Sequence, residues 1–115
     1  MYRSDASSPR SVIVLGVRGH VIGKDRATGA TLWNHDTDIP TTVTLVVLDD
    51  RVFASTGREI WAIEYPSGRL IGRTEIPGTG GRCTLLVDGQ QLFTGVAGEI
   101  ACFDWNGQLL WIPWK

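Results

Sequence analysis

The chain has 115 residues, 43% of them hydrophobic and 20% charged, with 11 Lys and Arg against 12 Asp and Glu for a net charge of −1. That length has room for one domain, and so balanced a charge excludes the strong field that would draw nucleic acid or an anionic membrane. No apolar stretch reaches the roughly eighteen residues of a membrane span, and Met1-Tyr2-Arg3-Ser4-Asp5 leads into no hydrophobic signal region, so the expected location is the cytoplasm, or the periplasm if an export signal has been removed.

Residues 1–10, with Ser4, Ser7, Ser8 and Pro9, read as a flexible arm or a poor edge strand. Residues 11–17 and 20–25 are expected strands around Arg18-Gly19, and 30–35 a third after Arg26-Ala27-Thr28-Gly29, where the glycine can take positive φ without a Cβ clash. Residues 34–40 link this group to the next. Residues 41–48, 51–56, 59–64 and 69–75 predict a complete four-stranded sheet, with turns at Asp49-Asp50, Thr56-Gly57-Arg58 and 65–68. Pro77-Gly78-Thr79-Gly80-Gly81 is the second link, and 82–87, 91–96, 99–103 and 108–112 predict the last sheet around Asp88-Gly89 and Gly98. No segment carries a helical apolar period. Val12-Ile13-Val14-Leu15, like residues 45–48 and 85–87, is apolar on consecutive positions, the pattern of a strand covered on both faces.

These units are one unit repeated. Gly29, Gly68 and Gly107 recur at intervals of 39 residues. Val14-Leu15-Gly16 aligns with Phe53-Ala54-Ser55 and Phe93-Thr94-Gly95, and Val21-Ile22-Gly23 with Ile60-Trp61-Ala62 and Ile100-Ala101-Cys102. Asp25, Glu64 and Asp104 stand before the turn glycines, and Trp33 and Trp111 follow four residues after the first and third, with Gly72 at the tryptophan position of the second. The third copy is one residue shorter between its acid and its glycine. A period of about 40 residues built of short strands marks propeller blades, which predicts an all-β chain of about three four-stranded antiparallel sheets.

The residues resemble a known family. Gly23-x-Asp25-x-x-Thr28-Gly29-x-x-x-Trp33 is similar to the tryptophan-docking motif of pyrroloquinoline quinone (PQQ)-like β-propeller repeats, in which Ala or Gly, Asp, Thr-Gly and Trp recur at this spacing. Ala62-x-Glu64-x-x-Ser67-Gly68 keeps the pattern up to Gly72, and Ala101-x-Phe103-Asp104-Trp105-Asn106-Gly107 with Trp111 keeps it with one residue deleted. The resemblance covers residues 11–111 and implies three repeats, at about 11–35, 41–75 and 82–112 within a unit spanning 11–115. It also implies structural roles. Trp33 and Trp111 would pack between adjacent blades, Asp25, Glu64 and Asp104 would hold the turns that end at Gly29, Gly68 and Gly107, and Gly72 would leave one junction without its stacking partner. Fully burying a Trp is worth roughly 4 to 6 kcal/mol before entropy is subtracted, enough to explain its recurrence without a ligand.

A propeller normally takes four to eight blades, and three cannot close a ring. Three periods of 39 residues come close to the chain length, as if the unit were cut at blade boundaries. The innermost strand of the first blade should fall in residues 1–8. An arc leaves an apolar flank at each end, and such patches mark association surfaces. The expected partner is therefore a second copy joined head to tail as a homodimer that closes a six-bladed ring, with another copy number or a larger propeller-containing protein as alternatives.

Little in the chain points to chemistry. Quinoprotein dehydrogenases of the family carry the quinone on the ring axis with calcium and a catalytic Asp, but none of those positions can be matched here, so neither cofactor nor catalysis is expected. Cys83 and Cys102 lack the C-x-x-C spacing of a metal or redox site and read as core residues. His35-Asp36-x-Asp38 is the one dense ligand-like cluster and reads as a solvated link rather than a metal site. His20 lies at a tight turn, and no nucleophile can be placed near either histidine. Nine of the eleven cations are Arg, which favours carboxylate contacts at a protein interface over a basic groove. The expected function is a non-catalytic scaffold or protein-interaction propeller; the alternative is a small-ligand sensor or vestigial quinoprotein with a molecule on the axis. Trp61 discriminates between them, because it replaces an isoleucine, Ile22, at the same repeat position: a ring packed between blades favours the scaffold, and a ring lining an open axial pocket favours the sensor.

Overall fold

A computed structural model describes residues 10–76, 83–96 and 99–111. The expected N-terminal arm with its innermost strand, the glycine-rich link at 77–81 and the end of the last strand at Ile112 lie outside the described residues. Within them are eleven strands and no helix. Sheet 1 has the order β1 (Val12–Val17), β2 (His20–Asp25), β3 (Thr31–Asp36). Sheet 2 runs β4 (Thr44–Val47), β5 (Arg51–Ser55), β6 (Glu59–Glu64), β7 (Leu70–Glu75), and sheet 3 runs β8 (Cys83–Asp88), β9 (Gln91–Val96), β10 (Glu99–Phe103), β11 (Leu109–Trp111). All pairing is antiparallel between sequence neighbours. Residues 41–43, expected in a strand, stay outside β4, since Thr41 turns the chain: its amide bonds back to Ile39 and its carbonyl accepts from the Gly19 amide.

Alternation along the strands sends side chains to opposite faces, and sheet 2 is buried on both. Val52, Ala54, Trp61 and Ile63 pack toward sheet 1 with Val14, Val21 and Trp33. Phe53, Ile60 and Ala62 pack toward sheet 3 with Leu92, Ala101 and Phe103. The consecutive apolar residues of β5 and β6 thus serve two cores. The links repeat as the sheets do: the Thr37 amide donates to the Gly19 carbonyl at 2.9 Å, and one period later the Ile76 amide donates to the Arg58 carbonyl at 2.7 Å.

One core position breaks this pattern. The Thr94 hydroxyl is buried without a hydrogen-bond partner among the described residues, and a buried unpaired hydroxyl costs free energy that a methyl group does not. Thr94→Val is expected to raise stability by about 1 kcal/mol, read as a higher urea midpoint. A lower midpoint would mean that the hydroxyl has a partner.

Candidate functional site

The repeated turn is built in the same way each time, by a carboxylate and a glycine in the left-handed region. Asp25 accepts from the amides of Ala27 (2.8 Å) and Thr28 (3.1 Å), and Asp104 from those of Asn106 (2.8 Å) and Gln108 (2.9 Å). Glu64, one methylene longer, accepts instead from the Ser67 hydroxyl at 2.6 Å and from Arg69 at 3.1 Å. The Arg69 guanidinium and then the Ser67 hydroxyl hold its carboxyl below the ordinary glutamate range. Gly29, Gly68 and Gly107 close the turns at φ of 78°, 82° and 80°, conformations that cost other residues a Cβ clash.

The second and third of these turns each meet the sheet before them. At the first junction Trp33 lies between two glycines: a Cβ on Gly23 of its own sheet would be 2.2 Å from its ring, and one on Gly68 of the next sheet 2.3 Å. Its indole N–H donates to the Pro66 carbonyl at 3.0 Å. Two residues on, the His35 Nε2–H donates to the Gly68 carbonyl at 2.6 Å, and the imidazole sits between the rings of Trp33 and Trp61 at centroid distances of 5.7 and 5.8 Å. Arg73 lies over the Trp61 ring, 4.3 Å from its centroid, held by Glu59 (3.0 Å) and by Asp38 of the link (3.2 Å).

The second junction uses the same positions with other chemistry. A Cβ on Gly72 would stand 2.3 Å from the Asn106 carbonyl oxygen, so the shortened turn of sheet 3 comes down onto the strand where the first junction holds an indole. Thr74, at the position equivalent to His35, donates to the Gly107 carbonyl at 2.6 Å. The aromatic contact comes from the other side: Trp105, within the turn, meets Phe53 edge-on at 5.2 Å, and its carbonyl accepts from Arg51 at 3.3 Å. Gly72 therefore leaves no vacancy. The deleted residue of the third turn and the missing tryptophan of the second strand compensate each other.

Among the described residues the two outer flanks lack such partners. On sheet 1, Leu15, Val17 and Leu32 are exposed on the face turned away from sheet 2. On sheet 3, Leu86 (63% exposed) and Ile100 stand on the face turned away from sheet 2, beside Phe93 and Trp111, whose rings are 6.3 Å apart. Ile100 is 52% exposed, whereas its repeat equivalents Val21 and Ile60 are at 0%.

No family model matches the chain and no curated protein matches its sequence. Solved structures match along nearly all of it. The computationally designed Ika8 protein is 24% identical with a TM-score of 0.70, over 92% of this chain and 34% of that one. BamB from Moraxella catarrhalis is 23% identical with a TM-score of 0.65, over 89% of this chain and 33% of its own. The designed Ika4 protein is 25% identical with a TM-score of 0.70, over 91% and 68%. All three are propellers. The fold is that of β-propeller blades. The chain spans about a third of the length of Ika8 and of BamB, and at these identities the likeness carries the fold.

In blade terms, Trp61 is 2% exposed in the core between blades 1 and 2, its N–H donating to Glu59 at 3.2 Å. In the His35-Asp36-x-Asp38 cluster the two aspartates are exposed on the link, Asp36 capping the Asp38 amide at 2.8 Å and Asp38 pairing with Arg73, while His35 is engaged at the junction. Among the described residues no group of three or more His, Cys, Asp or Glu is arranged to hold a metal ion. His20 opens β2 and bonds Asn34 at 3.1 Å. Cys102 is a buried free thiol, pushed up in pKa by burial, and the side chain of Cys83 lies outside the described residues. Sequence reasoning passed over Trp105, His35 and Thr74 as junction residues. The signal for the last two was present, since each stands two residues after the tryptophan position of its repeat.

Proposed function

We propose that the chain is a non-catalytic β-propeller module of the PQQ-like repeat type, which scaffolds or binds other proteins and completes its ring by association of chains. The observation that carries this reading is the contrast between Ile100, half exposed, and the same position in blades 1 and 2, fully buried. A position that a neighbouring blade covers twice is open at the third, and burying such apolar surface drives association. The packing of Trp61 between blades favours the scaffold over a sensor with a ligand on the axis. Arg51, Arg69 and Arg73 brace turns and blade contacts within the chain, the rigid frame such a scaffold needs. The partner surface of the assembled ring would be its loop rim, where rigid blades hold variable segments.

Native mass spectrometry or light scattering at micromolar concentration tests the assembly. The expected mass is twice the 12.6 kDa of one chain. A mass of a single chain under those conditions overturns it.

A further inference from the structure

The three turn glycines and the three tryptophan positions are not equally occupied. Gly68 is covered by the Trp33 ring, and Gly107 by Ala62 and Gly72, whereas among the described residues nothing lies within 4 Å of a Cβ placed on Gly29. Of the strand positions, Trp33 and Gly72 are engaged with the next turn, and Trp111 is 47% exposed. Among the described residues the arc thus holds one unfilled turn and one undocked tryptophan, and they stand at its opposite ends.

The two halves are preformed. Gly29 and Gly68 have nearly the same φ, and each donates its amide at 2.8 Å to the carbonyl of the acidic residue four positions earlier. Trp111 pairs with Cys102 across β10 and β11 as Trp33 pairs with Gly23 across β2 and β3, so both indoles project from the same face of their blades. The difference between them has a physical cause. Trp33 packs directly on Gly23 and is covered by the turn of the next blade, whereas Trp111 pairs with Cys102 and has no described blade beyond it.

Resting on the ring-closure reading above, we propose that Trp111 of one copy docks on the 25–29 turn of a second copy, its ring against Gly29 and its indole N–H donating to the Ala27 carbonyl. Ala27 holds the repeat position of Pro66, the acceptor for Trp33. The occupant is a second copy because this chain presents both surfaces of a junction it already forms internally, and a head-to-tail contact that repeats around a twofold axis leaves neither flank open. A large aromatic in a desolvated interface pocket is the type of residue that dominates association energy.

The test places a photoreactive p-benzoylphenylalanine at position 111 of the full chain and maps the cross-link by mass spectrometry after digestion. The expected product is a covalent dimer joined at residues 25–30 of the second copy. In parallel, Trp111→Gly is expected to raise the dimer dissociation constant about 30-fold, as loss of a hot-spot tryptophan does. Leu70→Ala, exposed on the outer strand of the middle blade, should leave that constant within about twofold, since it lies on neither open flank. A dimer whose cross-link maps elsewhere, or whose dissociation ignores Trp111, sinks the docking pair while ring closure stands. A wild-type chain that stays monomeric sinks both, and a cross-link to another protein co-purified with the chain would assign the flank to that partner instead.

Discussion

Replacing Phe53 by alanine is expected to lower the unfolding free energy by about 3–5 kcal/mol, the range for emptying a fully packed aromatic site. Phe53 is 0% exposed, and it is the side chain of blade 2 that meets the turn of blade 3 through Trp105. Ile60, Leu92 and Phe103 belong to the same core. None of these neighbours can follow a receding side chain without breaking a strand ladder, so a cavity would remain. Urea denaturation is the measurement, with a fall in the midpoint and an unchanged slope as the expected form. A loss below about 1 kcal/mol would show that blades 2 and 3 do not share this core.

Gly72→Trp, which would make the second repeat match the first, is expected to destabilise by about 3 kcal/mol, the upper part of the range for overpacking. Repeat logic alone points the other way, because restoring a consensus residue usually stabilises. The Asn106 carbonyl decides the matter: it stands 2.3 Å from where even the Cβ would be, and it belongs to backbone that cannot swing aside as a side chain can. Accepting an indole there would require the turn of blade 3 to lift off, and the Thr74 bond to Gly107 and the Trp105 contact with Phe53 would go with it. Thermal or urea unfolding checks the outcome. A gain in stability would mean that the turn yields easily and that the two departures in the repeat are unrelated.

Much of the fold was legible because its signals are local. The turn glycines, the acids before them and the apolar runs between them locate every strand but β4 to within a residue or two, as in β6 at Glu59–Glu64 and β9 at Gln91–Val96. The repeat supplied the order of blades, since each copy must bury the same faces. The candidate site was legible only in outline. Trp33 could be assigned to a junction by its spacing, but that the His35 ring fits between Trp33 and Trp61 depends on side chains from two blades. Trp105 carried only a partial repeat signal: it follows its acid as Tyr65 follows Glu64, but Arg26 holds that position in the first copy.

The sequence by itself determined the period, the turn chemistry and the two-faced strands, for these follow from backbone sterics and from which residues avoid water within a few positions of one another. Only the tertiary structure decided how each junction closes, because a junction is a balance between segments some 33 residues apart: an indole where two glycines leave room, and a backbone turn where one deleted residue brings a carbonyl onto Gly72. It decided, too, that Gly29 stays uncovered while Trp111 faces outward, a difference in packing between positions that the repeat makes equivalent.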